Sequence, residues 1–194
     1  MSETRTVAVL VGSLRKDSAS RKIAKAIADL APANLKFDFV EIGDLPAYDP
    51  DLETADAPAA WTRFRGQVAK ADAVLFVTPE YNRSFPGFLK NAIDVGSRPW
   101  GQAVWTEKPA AVVSTSMGAL GGFGANHHLR QALSFFAMPI LGQPEAYIGN
   151  TGALFDESGA LTSEATADFL KTFGQAFAGF IARNTSDPAV ARAA

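Results

Sequence analysis

The sequence predicts an α/β protein, an open five-stranded parallel sheet with helices on both faces, in one domain over residues 1–183. Three observations carry this reading. Largely apolar runs at residues 6–11, 73–77 and 109–114 have strand length and the unbroken pattern of strands covered on both sides. Apolar stripes of helical period alternate with these runs. No repeat, low-complexity block or linker interrupts the alternation, and 194 residues suit a single core.

The elements follow in order. Residues 6–11 form the first strand, and a polar break at 12–20 leads into a helix with Ile23, Ala24, Ile27 and Leu30 on one face, ended by Pro32. Residues 35–40 alternate apolar and polar side chains, which places the second strand near a sheet edge. The turn-rich stretch 44–51 follows, with Tyr48 in a packed loop; Trp61, Phe64, Val68 and Ala71 then mark the second helix. The third strand, 73–77, runs through a proline-bearing loop into a helix at 88–94, closed off by residues 98–101. The fourth strand, 109–114, precedes a glycine-rich loop at 114–122 and a helix at 125–137 with Leu129, Leu133 and Phe136 on one face. The fifth strand is expected within residues 138–141, continuing around Ala146 and Tyr147. A final helix begins near Thr162 or Ser163 and carries Phe169, Leu170, Phe173, Phe177, Phe180 and Ile181; residues 184–194 are read as a flexible tail.

Composition excludes several classes of function. A formal net charge of -2 and a pI near 5.7 provide no broad cationic surface for nucleic acid. Without cysteine there are no disulfides, thiolate metal sites or cysteine nucleophiles, and the two histidines, His127 and His128, make a poor metal set. No apolar run approaches the roughly 20 residues of a membrane span. The N-terminal residues lack a signal-peptide pattern, so a soluble cytoplasmic protein without nucleic-acid or membrane partners is expected.

In a parallel sheet the loops after successive strands emerge at one edge, where ligands bind. Three such loops concentrate the chemistry. The first offers Ser13, Ser18 and Ser20, the cations Arg15 and Lys16, and the free amides of a helix start, a set suited to a phosphate. It has neither the second glycine with Lys-Ser/Thr of a Walker loop nor the G-x-G-x-x-G of a dinucleotide fingerprint, so a mononucleotide is preferred. The second, Pro79, Glu80, Tyr81 and Asn82 on to Pro86 and Gly87, combines backbone groups with aromatic walls and suits a flat heterocycle. The third, with Ser116, Met117 and Gly118, permits close backbone approach.

These residues, together with the blocks Leu89-Lys90-Asn91-Ala92-Ile93-Asp94, Gly121-Gly122 and His128-Leu129-Arg130-Gln131, resemble the NAD(P)H-dependent FMN reductase family over about residues 6–182. The resemblance implies a flavodoxin-like fold with strand order 2-1-3-4-5 and FMN at the C-terminal edge of the sheet. It also implies that Ser13, Arg15, Ser18 and Ser20 hold the FMN phosphate. Pro79, Glu80, Tyr81 and Asn82 would line the ring, and Ser116, Met117 and Gly118 would approach its other edge. Ser20 stands where many relatives carry asparagine.

The implied activity is ping-pong hydride transfer from NADPH or NADH to a small-molecule acceptor: a quinone, a free flavin, an azo compound or a chromate-like oxyanion. No catalytic acid, base or nucleophile and no metal ligand is assigned, because the flavin carries the chemistry. The family further implies a homodimer or homotetramer, with the helix after the second loop near the contact. The competing reading is a flavodoxin-type electron-transfer protein docking redox partners. Such carriers are acidic around the flavin, whereas here Arg15, Lys16 and Arg83 occupy the loops.

Overall fold

The structure is a computed structural model that describes residues 3–185. Its elements, in chain order, are β1 (Arg5–Val11), α1 (Ala19–Leu30), β2 (Leu35–Phe39), α2 (Ala59–Lys70), β3 (Ala73–Pro79), α3 (Gly87–Gly96), β4 (Ala110–Thr115), α4 (Phe123–Ser134), β5 (Ala146–Ile148) and α5 (Glu164–Thr185). All four strand pairings are parallel, and the order is β2-β1-β3-β4-β5. This is the flavodoxin-like doubly wound sheet, with its topological switch between β1 and β3.

Strand period divides the core in two. Ala8, Leu10, Val74, Phe76 and Val112 face α2, α3 and α4, while Val7, Val9, Leu75, Val77 and Val113 face α1 and α5. Side chains of successive strand residues point to opposite faces, so a continuous apolar run supplies both layers. β2 is the edge strand its alternation predicts, with only Leu35 fully buried. On the first face Trp105 lies over Gly96, where an added Cβ would fall 2.5 Å from the indole, and its Nε1 donates to the Ile93 carbonyl at 2.9 Å. Tyr48 packs on Trp61, whose Nε1 donates to Pro46, as a packed loop requires.

Three boundaries differ from the sequence reading. The fifth strand is Ala146–Ile148, at the expected continuation around Ala146 and Tyr147, while the expected residues 138–141 contribute only one bridge, Ile140 to Ala110. Pro139 cannot donate to a ladder, and its carbonyl instead accepts from Ala110 N–H at 2.8 Å. α4 starts at Phe123 and stops at Ser134, because Ala137 takes a φ of 53°, which a helix cannot contain. α5 runs through Asn184 and Thr185, the start of the expected tail; the rest of that tail, residues 186–194, lies outside the described residues. No helix among the described residues is long and apolar enough to cross a membrane.

Candidate active site

The loops following β1, β3 and β4 converge at the C-terminal edge of the sheet, joined by a fourth after β5. Together they bound a cleft of about 470 Å³ lined by Arg15, Ser20, Pro79, Thr115, Ser116 and Met117 on one side, and by Thr151, Gly152 and Phe155 from the β5 loop on the other. The volume falls in the roughly 300–1,000 Å³ range of small-molecule sites.

At the anion end Gly12 begins the turn out of β1. Its missing side chain matters, since a Cβ there would lie 2.8 Å from the Thr78 hydroxyl of β3. Ser18 is the N-cap of α1, its Oγ accepting from Arg21 N–H at 3.2 Å, so its hydroxyl hydrogen is free to donate elsewhere. Ser20 Oγ lies 2.7 Å from Thr115 Oγ1, tying the first turn of α1 to the end of β4. Ser13 is only 4% exposed yet makes no hydrogen bond with any described residue. Arg15 is exposed and forms no ion pair with any described residue. A hydroxyl and a guanidinium without partners among the described residues, beside a capped helix start with its positive dipole end, together fit a phosphate.

The β3 loop is a tight two-residue turn. Tyr81 N–H donates to Ser84 O at 2.8 Å and Ser84 N–H to Tyr81 O at 2.9 Å, with Asn82 and Arg83 at φ of 50° and 68°. Both central residues are therefore left-handed, the type I′ geometry that asparagine tolerates and arginine resists. Glu80 turns away from the cleft: its Oε2 accepts from Ala125 N–H at 3.0 Å and caps α4, whose own N-cap, Gly122, has no side chain. Tyr81 and Asn82, both within this turn, are exposed, and neither lines the cleft.

The β4 and β5 loops are laced together. Ser116 N–H donates to Ile148 O, Asn150 N–H to Gly118 O, and Thr151 N–H to Ser116 O, at 3.0 to 3.3 Å. Gly121 has a φ of 59° and its Cβ would meet the Tyr147 carbonyl carbon at 2.5 Å, so only glycine passes here.

Of the expected binding residues, Arg15, Ser20, Pro79, Ser116 and Met117 line the cleft, Ser13 and Ser18 lie in the loop behind them, and Glu80, Tyr81, Asn82 and Gly118 hold the neighbouring loops in shape. Thr115, Thr151, Gly152 and Phe155 were not foreseen from the sequence. Once β5 is known to neighbour β4, the Asn150-Thr151-Gly152 turn must reach the same edge. His128 Nδ1 pairs with Ser84 Oγ at 2.8 Å and His127 Nε2 with the Tyr147 hydroxyl at 2.9 Å, so both histidines have protein partners. Burial pushes the Tyr147 phenol above its ordinary range. Lys90 bonds Asp94 on the surface of α3.

This geometry has counterparts. Residues 5–153 match the model of the NADPH-dependent FMN reductase family. The chain belongs to that family. It is 57% identical to a quinone reductase of Pseudomonas putida over 95% of this chain and 98% of the relative. It is 47% identical to a 2-hydroxy-1,4-benzoquinone reductase of a Burkholderia species over 90% of this chain and 95% of that one. Among solved structures, the flavoenzyme NAD(P)H:(acceptor) oxidoreductase FerB of Paracoccus denitrificans superposes with a TM-score of 0.87 at 46% identity, covering 93% of this chain and 99% of the other. An FMN reductase is accordingly an enzyme that takes FMN with NAD(P)H as electron donor, and the electron-carrier reading is not favoured.

Proposed function

We propose that this FMN reductase passes electrons from NADPH or NADH to quinones. The observation that carries the acceptor class is the apolar rim. Met117 and Leu120 are 73% and 69% exposed, and Leu14, Tyr81 and Phe123 are exposed as well, all on or beside loops at the edge where the cleft opens. Large apolar side chains left in water around a cleft favour a flat, weakly polar acceptor. Azo compounds suit the same rim, and chromate-like oxyanions draw less from it. The quinone reductases to which this chain is similar support the choice.

FMN, when bound, supplies two-electron chemistry, so the protein needs no acid, base or nucleophile at the reacting carbon. The residues here bind and orient. Ser13, Arg15, Ser18 and Ser20 would hold the phosphate against the start of α1, and the Ser20–Thr115 bond would fix that end relative to β4. Pro79 and the Ser116–Met117 backbone would set the ring position. Glu80 acts on the site through α4, by holding that helix against the β3 loop.

A steady-state matrix of NADPH against benzoquinone checks the reading. Parallel double-reciprocal lines and turnover with quinones well above that with chromate are expected; convergent lines or quinone turnover at background would count against it. We also read the protein as cytoplasmic and as a homodimer or homotetramer. Trp100 and Phe135, 78% and 74% exposed, provide apolar surface near α3 and α4. Light scattering that returns a monomer at all concentrations would exclude the oligomer.

A further inference from the structure

Behind the anion end of the cleft lies a second cavity, of about 500 Å³, between α1 and the turn at 155–161. The two are neighbours: Lys22 and Phe155 line both. Lys22 bonds Asp17, and this contact holds the Asp17 carboxyl below the usual carboxylate range; the Lys22 ammonium also sits 5.5 Å from the centre of the Phe155 ring. From Lys22 the groove follows α1 to Leu30, roughly 12 Å at the helical rise of about 1.5 Å per residue.

Its chemistry is uneven. Lys16, Arg21, Lys22 and Lys25 line it against a single carboxylate, Asp29, in a chain of net charge -2. Of these cations only Lys22 has an ion-pair partner among the described residues. Between the charges the wall is apolar, with Ala26, Leu30, Phe155 and Leu161. Unpaired cations beside an apolar slot suit a phosphate joined to a flat heterocycle.

The geometry points to a subsite for the adenosine monophosphate half of FAD, so that the protein accepts FAD as well as FMN. This rests on the flavin reading of the cleft. The groove adjoins Lys16 and Ser18 in the anion loop and includes none of residues 79–85, so it prolongs the ligand from its phosphate. A nicotinamide dinucleotide must instead enter at the ring. A second phosphate leaving the cleft passes Lys22, which exchanges the exposed Asp17 for it, and the adenine lies on the apolar wall with Arg21 and Lys25 beside the ribose phosphate.

The test is equilibrium binding of FMN and FAD to the apoprotein, read by quenching of flavin fluorescence, in the wild type and in the double variant Arg21→Gln, Lys25→Gln. Neither side chain is assigned to FMN. In the wild type FAD binds at least as tightly as FMN. In the variant the FAD dissociation constant rises about tenfold while that of FMN stays within about twofold, and added salt narrows the difference between proteins. Unchanged FAD affinity in the variant, or FAD that fails to bind where FMN binds, overturns the subsite. Failure of both flavins to bind the wild type is a separate outcome, which overturns the flavin reading and the subsite with it. The retained FMN affinity reports that the variant is folded.

Discussion

At the scale of single residues, burial alone does not say which polar groups serve the ligand. Ser13, in the loop after β1, and Ser20, in the first turn of α1, are both buried serines, but Ser20 is bonded to Thr115 and Ser13 has no hydrogen-bond partner among the described residues. Ser13→Ala is therefore expected to leave the melting temperature unchanged and to weaken FMN by about 1.5–3 kcal/mol, the worth of a hydrogen bond to a charged group. Isothermal titration measures it, and unaltered affinity would remove Ser13 from the site. Glu80 behaves in the opposite way. Its carboxylate caps α4 from another loop, so Glu80→Ala is expected to lower stability by about 1 kcal/mol in urea denaturation. A loss of quinone turnover without any loss of stability would contradict that role. The family resemblance makes Glu80 a ring-lining residue, and the structure shows that its carboxylate is engaged by Ala125 N–H of α4, beside Gly124, where a Cβ would meet Glu80 Oε2 at 3.0 Å.

At the scale of elements, the block Leu89-Lys90-Asn91-Ala92-Ile93-Asp94 separates into parts. Leu89, Ala92 and Ile93 are core, Lys90 and Asp94 pair on the surface, and Asn91 clamps the loop after β2. Asn91 Oδ1 accepts from Tyr48 N–H at 2.7 Å and its Nδ2 donates to Pro46 O at 3.0 Å. Asn91→Ala strips both partners and is expected to cost about 1–3 kcal/mol, seen as a lower urea midpoint, with faster proteolysis confined to residues 44–50. Uniform proteolysis would show that the clamp is not local. The strands and helices were legible because each has the period of its burial: β1 and β3 read as unbroken apolar runs, and α1 as a stripe at Ile23, Ala24 and Ile27. β5 was legible only in part, at Ala146 and Tyr147, because three residues are too few to show a period and the preceding apolar stretch at 138–141 drew the start of the strand away. With the end of β5 left loose in the sequence, the loop carrying Thr151 and Phe155 was not read as part of the cleft.

At the scale of the whole molecule, the two ends of the sheet have different duties. The C-terminal edge gathers the loops of the site. At the other edge Lys108 sits largely buried with its Nζ donating to Ala71 O, beside an Asp72 that also bonds Arg5. Burial lowers the Lys108 pKa below its ordinary 10.5, and the Asp72 charge only partly opposes this. As pH rises through the lowered folded value, the native state gives up its proton while the unfolded chain keeps its own, so this group makes the protein more stable as pH approaches 10.5. Urea denaturation across the alkaline range should show wild type gaining on Lys108→Met as pH rises; a difference that is constant with pH would contradict it. The three-loop convergence was readable from the chain because parallel topology forces it, whereas the direction of each side chain there depends on contacts between distant segments such as Ser20 with Thr115. The account as a whole stands on one anaerobic experiment: adding NADPH or NADH to the FMN-loaded protein and following visible absorption. Bleaching of the flavin, reversed by benzoquinone, is predicted; a spectrum left unchanged by both donors would contradict it.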